Sequence, residues 1–269
     1  HNDALTSLSL PKLVYAGTVF ELNDNALLAT VTVPKLITSD EITMIGNPKL
    51  TSPPLTGMIG SVKSLLLSQN GFTTLSGLEG IVRVRMLDIT QHQLLTDLTG
   101  LSNVRGSLDG LNISSNPVLT TLSGLGGIRR LEQPANISSI SNNAKLSSTA
   151  ALSGLSAVDG TLYVADNPAL ATVSFPALAT AKVILVEETT GAPTPVVTTI
   201  DLPNLTNVTS NLQVHNCKAL TALQAPKLAT VTGVIEVQGD TALTTLSFPA
   251  LTSGGLRLAN DGALATLSV

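Results

Sequence analysis

The chain repeats one short unit from end to end, and this repetition restricts its fold more than any other feature. In the stretch 160–178, GTLYVADNPALATVSFPAL, Leu162 and Val164 alternate with more polar residues, as in a short strand with one buried face. Asn167 and Pro168 then end the strand, and a second short strand follows before the unit closes. We interpret this stretch as one turn of a coil.

Hydrophobic residues near the end of the first strand form a column that runs through the whole chain. Their spacing of roughly 21 to 28 residues lies in the range of leucine-rich repeats and related solenoids. We therefore predict an all-β fold over residues 1–269, a single parallel β-helix (solenoid) domain of about eleven turns with little or no helix. The column consists of Leu22, Met44, Leu67, Ile89, Ile113, Ile140, Val164, Val186, Val214, Val237 and Leu258.

A second column, three residues further on, is small and polar in most turns. Side-chain amides inside a fold need hydrogen-bond partners, so we predict a stacked structural ladder in which they bond the backbone of adjacent turns. The predicted ladder asparagines are Asn25, Asn47, Asn70, Asn116, Asn143 and Asn167, and the same column contains His92, Cys217, Asp240 and Asp261.

Composition agrees with a narrow coil and excludes several classes of function. With 2% aromatic and 43% hydrophobic residues, aliphatic side chains must fill the interior. The net charge of −4 leaves no dense basic stripe for nucleic acid, and no apolar run reaches the length of a membrane span. The single Cys217 excludes an internal disulfide, and its place in the polar column favours a buried thiol over a nucleophile. We expect the chain, which begins at His1 and shows no signal peptide, to be processed or a fragment.

No pattern typical of catalysis is found. Enzymatic parallel coils need carboxylates on neighbouring turns, and the outward column in the middle of the first strand has no two adjacent acids. The sequence also lacks zinc-ligand spacing, a glycine-rich phosphate loop and a Gly-x-Ser-x-Gly elbow. We predict a protein that is not an enzyme and that uses no cofactor or metal.

One insertion and the turns beside it form a candidate interaction site. The segment after Val186 is about five residues longer than its counterparts, and insertions in solenoids often mark the binding edge. Outward residues of adjacent turns add a polar patch to this loop, although an exposed face of mixed charge would have the same pattern. The candidate loop and patch are Glu187, Glu188, Thr189, Pro193, Pro195, Gln213, His215, Glu236 and Arg257.

Arginine is concentrated in one part of the chain. Five of the six arginines lie between Arg83 and Arg130. A solvated ridge that supports solubility is one interpretation, and a contact for an acidic partner is the other.

Threonine and serine recur as outward pairs on the second strand. A regular hydroxyl and methyl array can match an ice lattice, although these residues are also common on any exposed strand. Ice binding is therefore an alternative function. The candidate face comprises Thr30, Thr32, Thr74, Ser76, Thr121, Ser123, Thr172, Ser174, Thr245 and Ser247.

Two further features concern modification and assembly. Candidate N-glycosylation sequons occur at Asn112, Asn136, Asn204 and Asn207. No capping turn is visible at either end, so we expect either a longer array or head-to-tail stacking of copies into filaments.

The repeats resemble those of a known group of surface proteins. The stretches 116–128, NPVLTTLSGLGGI, and 162–178, LYVADNPALATVSFPAL, are similar to the receptor L-domain group of leucine-rich-repeat-like coils, and 62–72 fits the leucine-rich pattern itself. The resemblance covers almost the whole chain and implies a right-handed parallel β-helix at the cell surface or outside the cell. It implies a structural or adhesive role that acts on a protein or surface partner, with a ligand-binding ectodomain as a third possibility.

Overall fold

The computed structural model is a coil of parallel β-strands with about eleven turns and essentially no helix. It describes residues 2–132, 137–189 and 196–269. Each strand pairs in parallel with the equivalent strand of the next turn, so that Leu162 lies opposite Ile184 and Val164 lies opposite Val186. The predicted all-β parallel coil is confirmed.

The first strand of each turn belongs to one long sheet. In the described residues this sheet has 14 strands, because some turns contribute two short strands instead of one. Its strands are β2 (Val19–Asn23), β4 (Glu41–Ile45), β5 (Gly60–Ser68), β6 (Ile81–Thr90), β7 (Arg105–Leu108), β8 (Gly110–Ser114), β9 (Gly127–Leu131), β10 (Ile137–Ser141), β11 (Ala157–Ala165), β13 (Thr180–Glu187), β15 (Asn207–Val208), β16 (Leu212–His215), β18 (Thr230–Gln238) and β20 (Ser253–Ala259).

The second strand of the repeat forms two separate sheets. One has five strands, β12 (Thr172–Ser174), β14 (Thr199–Asp201), β17 (Ala222–Gln224), β19 (Thr245–Ser247) and β21 (Thr266–Ser268), and the other pairs β1 (Ser7–Ser9) with β3 (Thr30–Thr32). Between β3 and β12 the described residues have no strand after the ladder position. Two of those turns contain short 3-10 helices instead, Thr99–Leu101 and Ala150–Leu152.

Two wordings of the corner accompany two different local structures. Strands form where the corner reads Leu-x-x-Pro-x-Leu, and they are absent where it reads Leu-Ser-Gly-Leu. In the latter turns the hydroxyls of Thr74 and Thr121 accept the backbone N–H two residues ahead, which bends the chain locally. The bend continues at Gly124, where φ is +114° and a Cβ would lie 1.9 Å from the carbonyl oxygen of Leu98. Only glycine fits there.

Aliphatic side chains fill the coil from end to end. The inward column from Leu22 to Val237 is buried throughout, and only Leu258 in the last turn is partly exposed. Each turn therefore packs mainly on the turns before and after it. The free energy of unfolding is then close to the sum of the stabilities of the single turns and of the contacts between adjacent turns.

Candidate functional site

The asparagine column forms a buried hydrogen-bond ladder in two runs, from Asn25 to Asn70 and from Asn116 to Asn167. In the step from Asn143 to Asn167, the backbone N–H and the side-chain amide of Asn143 both donate to Oδ1 of Asn167, at 3.0 and 3.1 Å. The amide of Asn143 also donates to the carbonyl of Ile113, one turn back, at 2.9 Å. The six predicted asparagines are all buried, and the side-chain amide of each bonds to an adjacent turn.

The ladder changes its chemistry where other residues replace asparagine. The imidazole of His92 stacks on Phe72, and its Nδ1 lies 3.2 Å from the carbonyl oxygen of Asn70. Its Nε2 is buried without a partner among the described residues, and burial lowers the pKa of His92. The thiol of Cys217 is buried, and burial together with the carboxylates of Asp240 and Glu188 strongly raises its pKa. A thiol held protonated in this way is a poor nucleophile.

Glu188 lies inside the coil rather than on the surface of the predicted loop. Its side chain is 8% exposed, and its Oε1 accepts the backbone N–H groups of Val196 and Val197 at 2.7 and 3.1 Å. The carboxylate thereby satisfies backbone donors where the insertion rejoins the coil. Thr189 remains exposed and bonds to Asp166 of the preceding turn. Pro193 and Pro195 lie outside the described residues.

The predicted polar patch comes together around Glu236 on the outward face of the long sheet. Gln213 donates to Oε2 of Glu236 at 2.9 Å, and Arg257 donates to Oε1 at 3.0 Å. These two contacts lower the pKa of Glu236, the bond from Gln213 most. Nε2 of His215 lies 3.8 Å from the same carboxylate, and His215 pairs in register with Glu187. The patch therefore holds an ionised Glu236 between three partners.

This patch is better arranged for binding than for proton transfer. Both oxygens of Glu236 already accept hydrogen bonds, whereas the side chain of Arg257 is 66% exposed and makes one hydrogen bond among the described residues. Tyr163 lies on β11, the strand that pairs with the strand of Glu187. Burial is the main cause that raises the pKa of its hydroxyl, and the negative charges of Glu187 and Asp166 add to it. The hydroxyl thus stays a neutral donor.

The hydroxyl face is divided by the architecture of the coil. Thr172 lies in register with Thr199, and Thr245 with Thr266, on the five-stranded sheet, but Ala222 separates the two pairs. In the companion row, Ser174 donates to Asp201. Thr30 and Thr32 belong to the separate two-stranded sheet, and Ser247 lies opposite Ser268. Thr74, Ser76, Thr121 and Ser123 lie in turns with no strand at that point.

The candidate glycosylation sites differ in accessibility. Asn204 is exposed, donates to the carbonyl of Pro176 and accepts a bond from Lys227. Asn112 and Asn207 are partly buried, and their side chains bond to Asp88 and Thr230. Asn136 lies outside the described residues.

Sequence reasoning missed a second ladder made by hydroxyls at the corners of the coil. Thr120 donates to the carbonyl of Thr96 at 3.1 Å, and Thr244 donates to that of Thr221 at 3.1 Å. The other corner repeats the pattern with Thr206 and Ala179. The threonine that follows the buried leucine in several turns, as in Leu119-Thr120 and Leu243-Thr244, was the available signal.

Two features are absent from the described part of the chain. No group of three or more His, Cys, Asp or Glu residues there could hold a metal ion. The described residues also contain no helix long and apolar enough to cross a membrane.

Comparison of the chain with protein-family models, with curated proteins and with solved structures found no match. The class that the structure defines is therefore the parallel β-solenoid repeat protein, with about eleven turns.

Proposed function

We propose that this chain is an extracellular, non-enzymatic structural or adhesive module that acts through contacts with a protein or a surface. The buried amide ladder carries the proposal, because it ties neighbouring turns together from Asn25 to Asn70 and from Asn116 to Asn167, and so holds the outward face of the long sheet in a rigid periodic array. A preorganised surface loses little conformational entropy when it binds. The fully engaged carboxylate of Glu236 beside the exposed Arg257 also suits binding rather than proton transfer.

The finer assignment, to the receptor L-domain type of leucine-rich-repeat-like coil, is part of the same proposal. It rests on the repeat wording of 116–128 and 162–178 and on the parallel coil with its asparagine column. The extracellular location follows from this assignment. An antibody against the purified protein should label intact cells of the source organism as strongly as permeabilised cells. Labelling that requires permeabilisation would refute the location.

The adhesive role is tested separately from the location. Purified fluorescent protein should bind to intact cells or their isolated surface material, and unlabelled protein should compete for that binding. If it assembles head to tail, light scattering and electron micrographs should show rods that lengthen with concentration. If the protein shows no saturable binding to any surface fraction and stays a monomer at all concentrations, both the adhesive role and the head-to-tail assembly are refuted.

Ice binding is the second candidate, favoured by the threonine pairs in register on the five-stranded sheet. Thr172 and Thr121 provide a matched pair of variants, because only Thr172 lies on a strand of that sheet. If the sheet binds ice, Thr172→Tyr should abolish thermal hysteresis and Thr121→Tyr should not. Absence of hysteresis in the unmodified protein excludes this function.

A ligand-binding ectodomain is the third candidate, favoured by the network around Glu236. Arg257→Gln removes the one strongly exposed charged donor of that network. It should abolish binding of any ligand recognised there while leaving the coil folded, as judged by circular dichroism.

A further inference from the structure

Arginines on three consecutive turns lack the carboxylate partners that their neighbours have. Arg85 pairs with Asp109 at 2.5 Å, and both guanidinium donors Nε and Nη2 of Arg130 bond to Asp159 at 2.8 Å. In contrast, the described residues offer no ion pair to three exposed side chains of the same segment, those of Arg83, Arg105 and Arg129. These three arginines therefore carry positive charge that no ion pair among the described residues neutralises, on a chain whose net charge is −4.

Two of these arginines line one hollow at the corner of the coil. The hollow has a volume of about 480 Å³, and no acidic residue contributes to its wall. Strands β7 and β9 pair there, with Arg105 opposite Gly127, so the side chains come from adjacent turns. The lining consists of Ser102, Asn103, Arg105, Gly106, Gly127 and Arg129.

Arg129 is held in place by the corner itself. Its Nη1 donates to the carbonyls of Gly126 and Ile128 at 2.7 and 3.1 Å. The guanidinium lies so close to Gly154 that a Cβ on that residue would meet Nη1 at 2.3 Å. Its other N–H groups have no hydrogen-bond acceptor among the described residues, and a guanidinium ordered before binding loses less entropy on forming further bonds.

This arrangement has the chemistry of an oxyanion site. Guanidinium groups bind carboxylate and sulfate or phosphate oxygens through paired, charge-assisted hydrogen bonds. Gly106 leaves the backbone open to close approach, since nothing lies within 4 Å of the place where its Cβ would be, and Ser102 adds an uncharged hydroxyl. We propose that this hollow, extended along the ridge by Arg83, binds the acidic groups of an anionic polysaccharide. The proposal rests on the extracellular role proposed above and gives that role a binding chemistry.

Charge density favours a polysaccharide over other polyanions. Duplex DNA carries one charge per about 1.7 Å and requires a dense basic surface. On this acidic protein, the attraction between DNA and three unpaired arginines would be outweighed by the long-range repulsion between the DNA and the protein's net negative charge. An acidic polysaccharide with about one charge per sugar ring places fewer charges on the same length and brings hydroxyls that can bond to the uncharged lining groups.

Polygalacturonate, chondroitin sulfate and neutral dextran are suitable probes for the full chain at low ionic strength, with binding followed by fluorescence anisotropy. The first two should bind, dextran should not, and added salt should weaken binding by screening. Tighter binding of chondroitin sulfate identifies a sulfate ester as the preferred group, and tighter binding of polygalacturonate identifies a carboxylate. Arg105→Gln should weaken binding about tenfold, as expected for the loss of a hydrogen-bonding charged group.

Lys49→Gln is the matched control, because Lys49 is also exposed and the change removes the same charge far from the hollow in sequence. It should weaken binding less than about twofold, the effect of a change in net charge alone. Equal losses in the two variants would overturn the site, as would failure of both acidic polysaccharides to bind. Equal binding of poly-glutamate or duplex DNA would overturn the choice of polysaccharide. Cell-surface labelling does not depend on these results, so failure of this site leaves the proposed location to its own test.

Discussion

Asp240 should make the stability of the coil depend on pH near neutrality. It is fully buried at a ladder position where most turns have asparagine. Its Oδ1 accepts the backbone N–H of Cys217 at 2.6 Å, while Oδ2 is buried without a partner among the described residues. In asparagine turns the second ladder atom donates a hydrogen to the preceding turn, which an ionised carboxylate cannot do. Burial, with the nearby Asp261 and Glu188 carboxylates, raises the pKa of Asp240 to about 7.

The size of the effect follows from the difference between folded and unfolded states. A folded pKa of about 7 against the ordinary value of 3.8 is a difference of about three units. At about 1.36 kcal/mol per unit, ionisation of Asp240 lowers the free energy of unfolding by up to about 4 kcal/mol. Because the folded state has the higher pKa, this stability is complete below pH 3.8 and is lost as the pH rises through about 7.

Replacement of Asp240 by asparagine removes this titration and restores the missing donor. Guanidinium unfolding, followed by circular dichroism, should show nearly equal stability of the two proteins at about pH 4 and an advantage of about 3 to 4 kcal/mol for Asp240→Asn at about pH 8. Asp201→Asn makes the same chemical change on the outward face and reports the effect of losing one charge. A stability difference between Asp240→Asn and the unmodified protein that stays constant with pH would refute the reasoning, as would a less stable variant at pH 8.

Three further perturbations test the ladder and the corners. Asn143→Ala leaves buried backbone groups of adjacent turns unpaired and should lower the free energy of unfolding by about 3 kcal/mol, measured by denaturant titration; a loss below about 0.5 kcal/mol would contradict the ladder's role. His92→Asn should reduce the loss of stability that the unmodified protein shows as pH falls below about 6.5, because burial lowers the pKa of His92 and only the unfolded state then binds the proton readily. Gly124→Ala should lower the melting temperature more than Gly106→Ala, since both have positive φ but only Gly124 would place a Cβ 1.9 Å from a carbonyl oxygen; equal shifts would show that contact to be unimportant.

The outward networks were only partly predictable from the sequence. Register alone places Glu187 beside His215 and Glu236 beside Arg257, because equivalent positions of a repeat become neighbours in the coil. That Glu236 accepts bonds from both sides depends on rotamers, which periodicity does not encode. The same limit applies to Glu188, whose burial follows from backbone donors that the insertion leaves unpaired inside the coil.

The sequence by itself determined that the chain is a parallel coil and which residues point inward, because a repeat of this length can bury its aliphatic column only by stacking on copies of itself. The tertiary structure decided where the second strand breaks, since Gly124 must pass beneath the carbonyl of Leu98 in the preceding turn. It also decided which charges remain free, since the pairing of Arg130 with Asp159 and the lack of a partner for Arg105 depend on distances between turns. Those distances arise only when separate segments meet, and no local pattern specifies them.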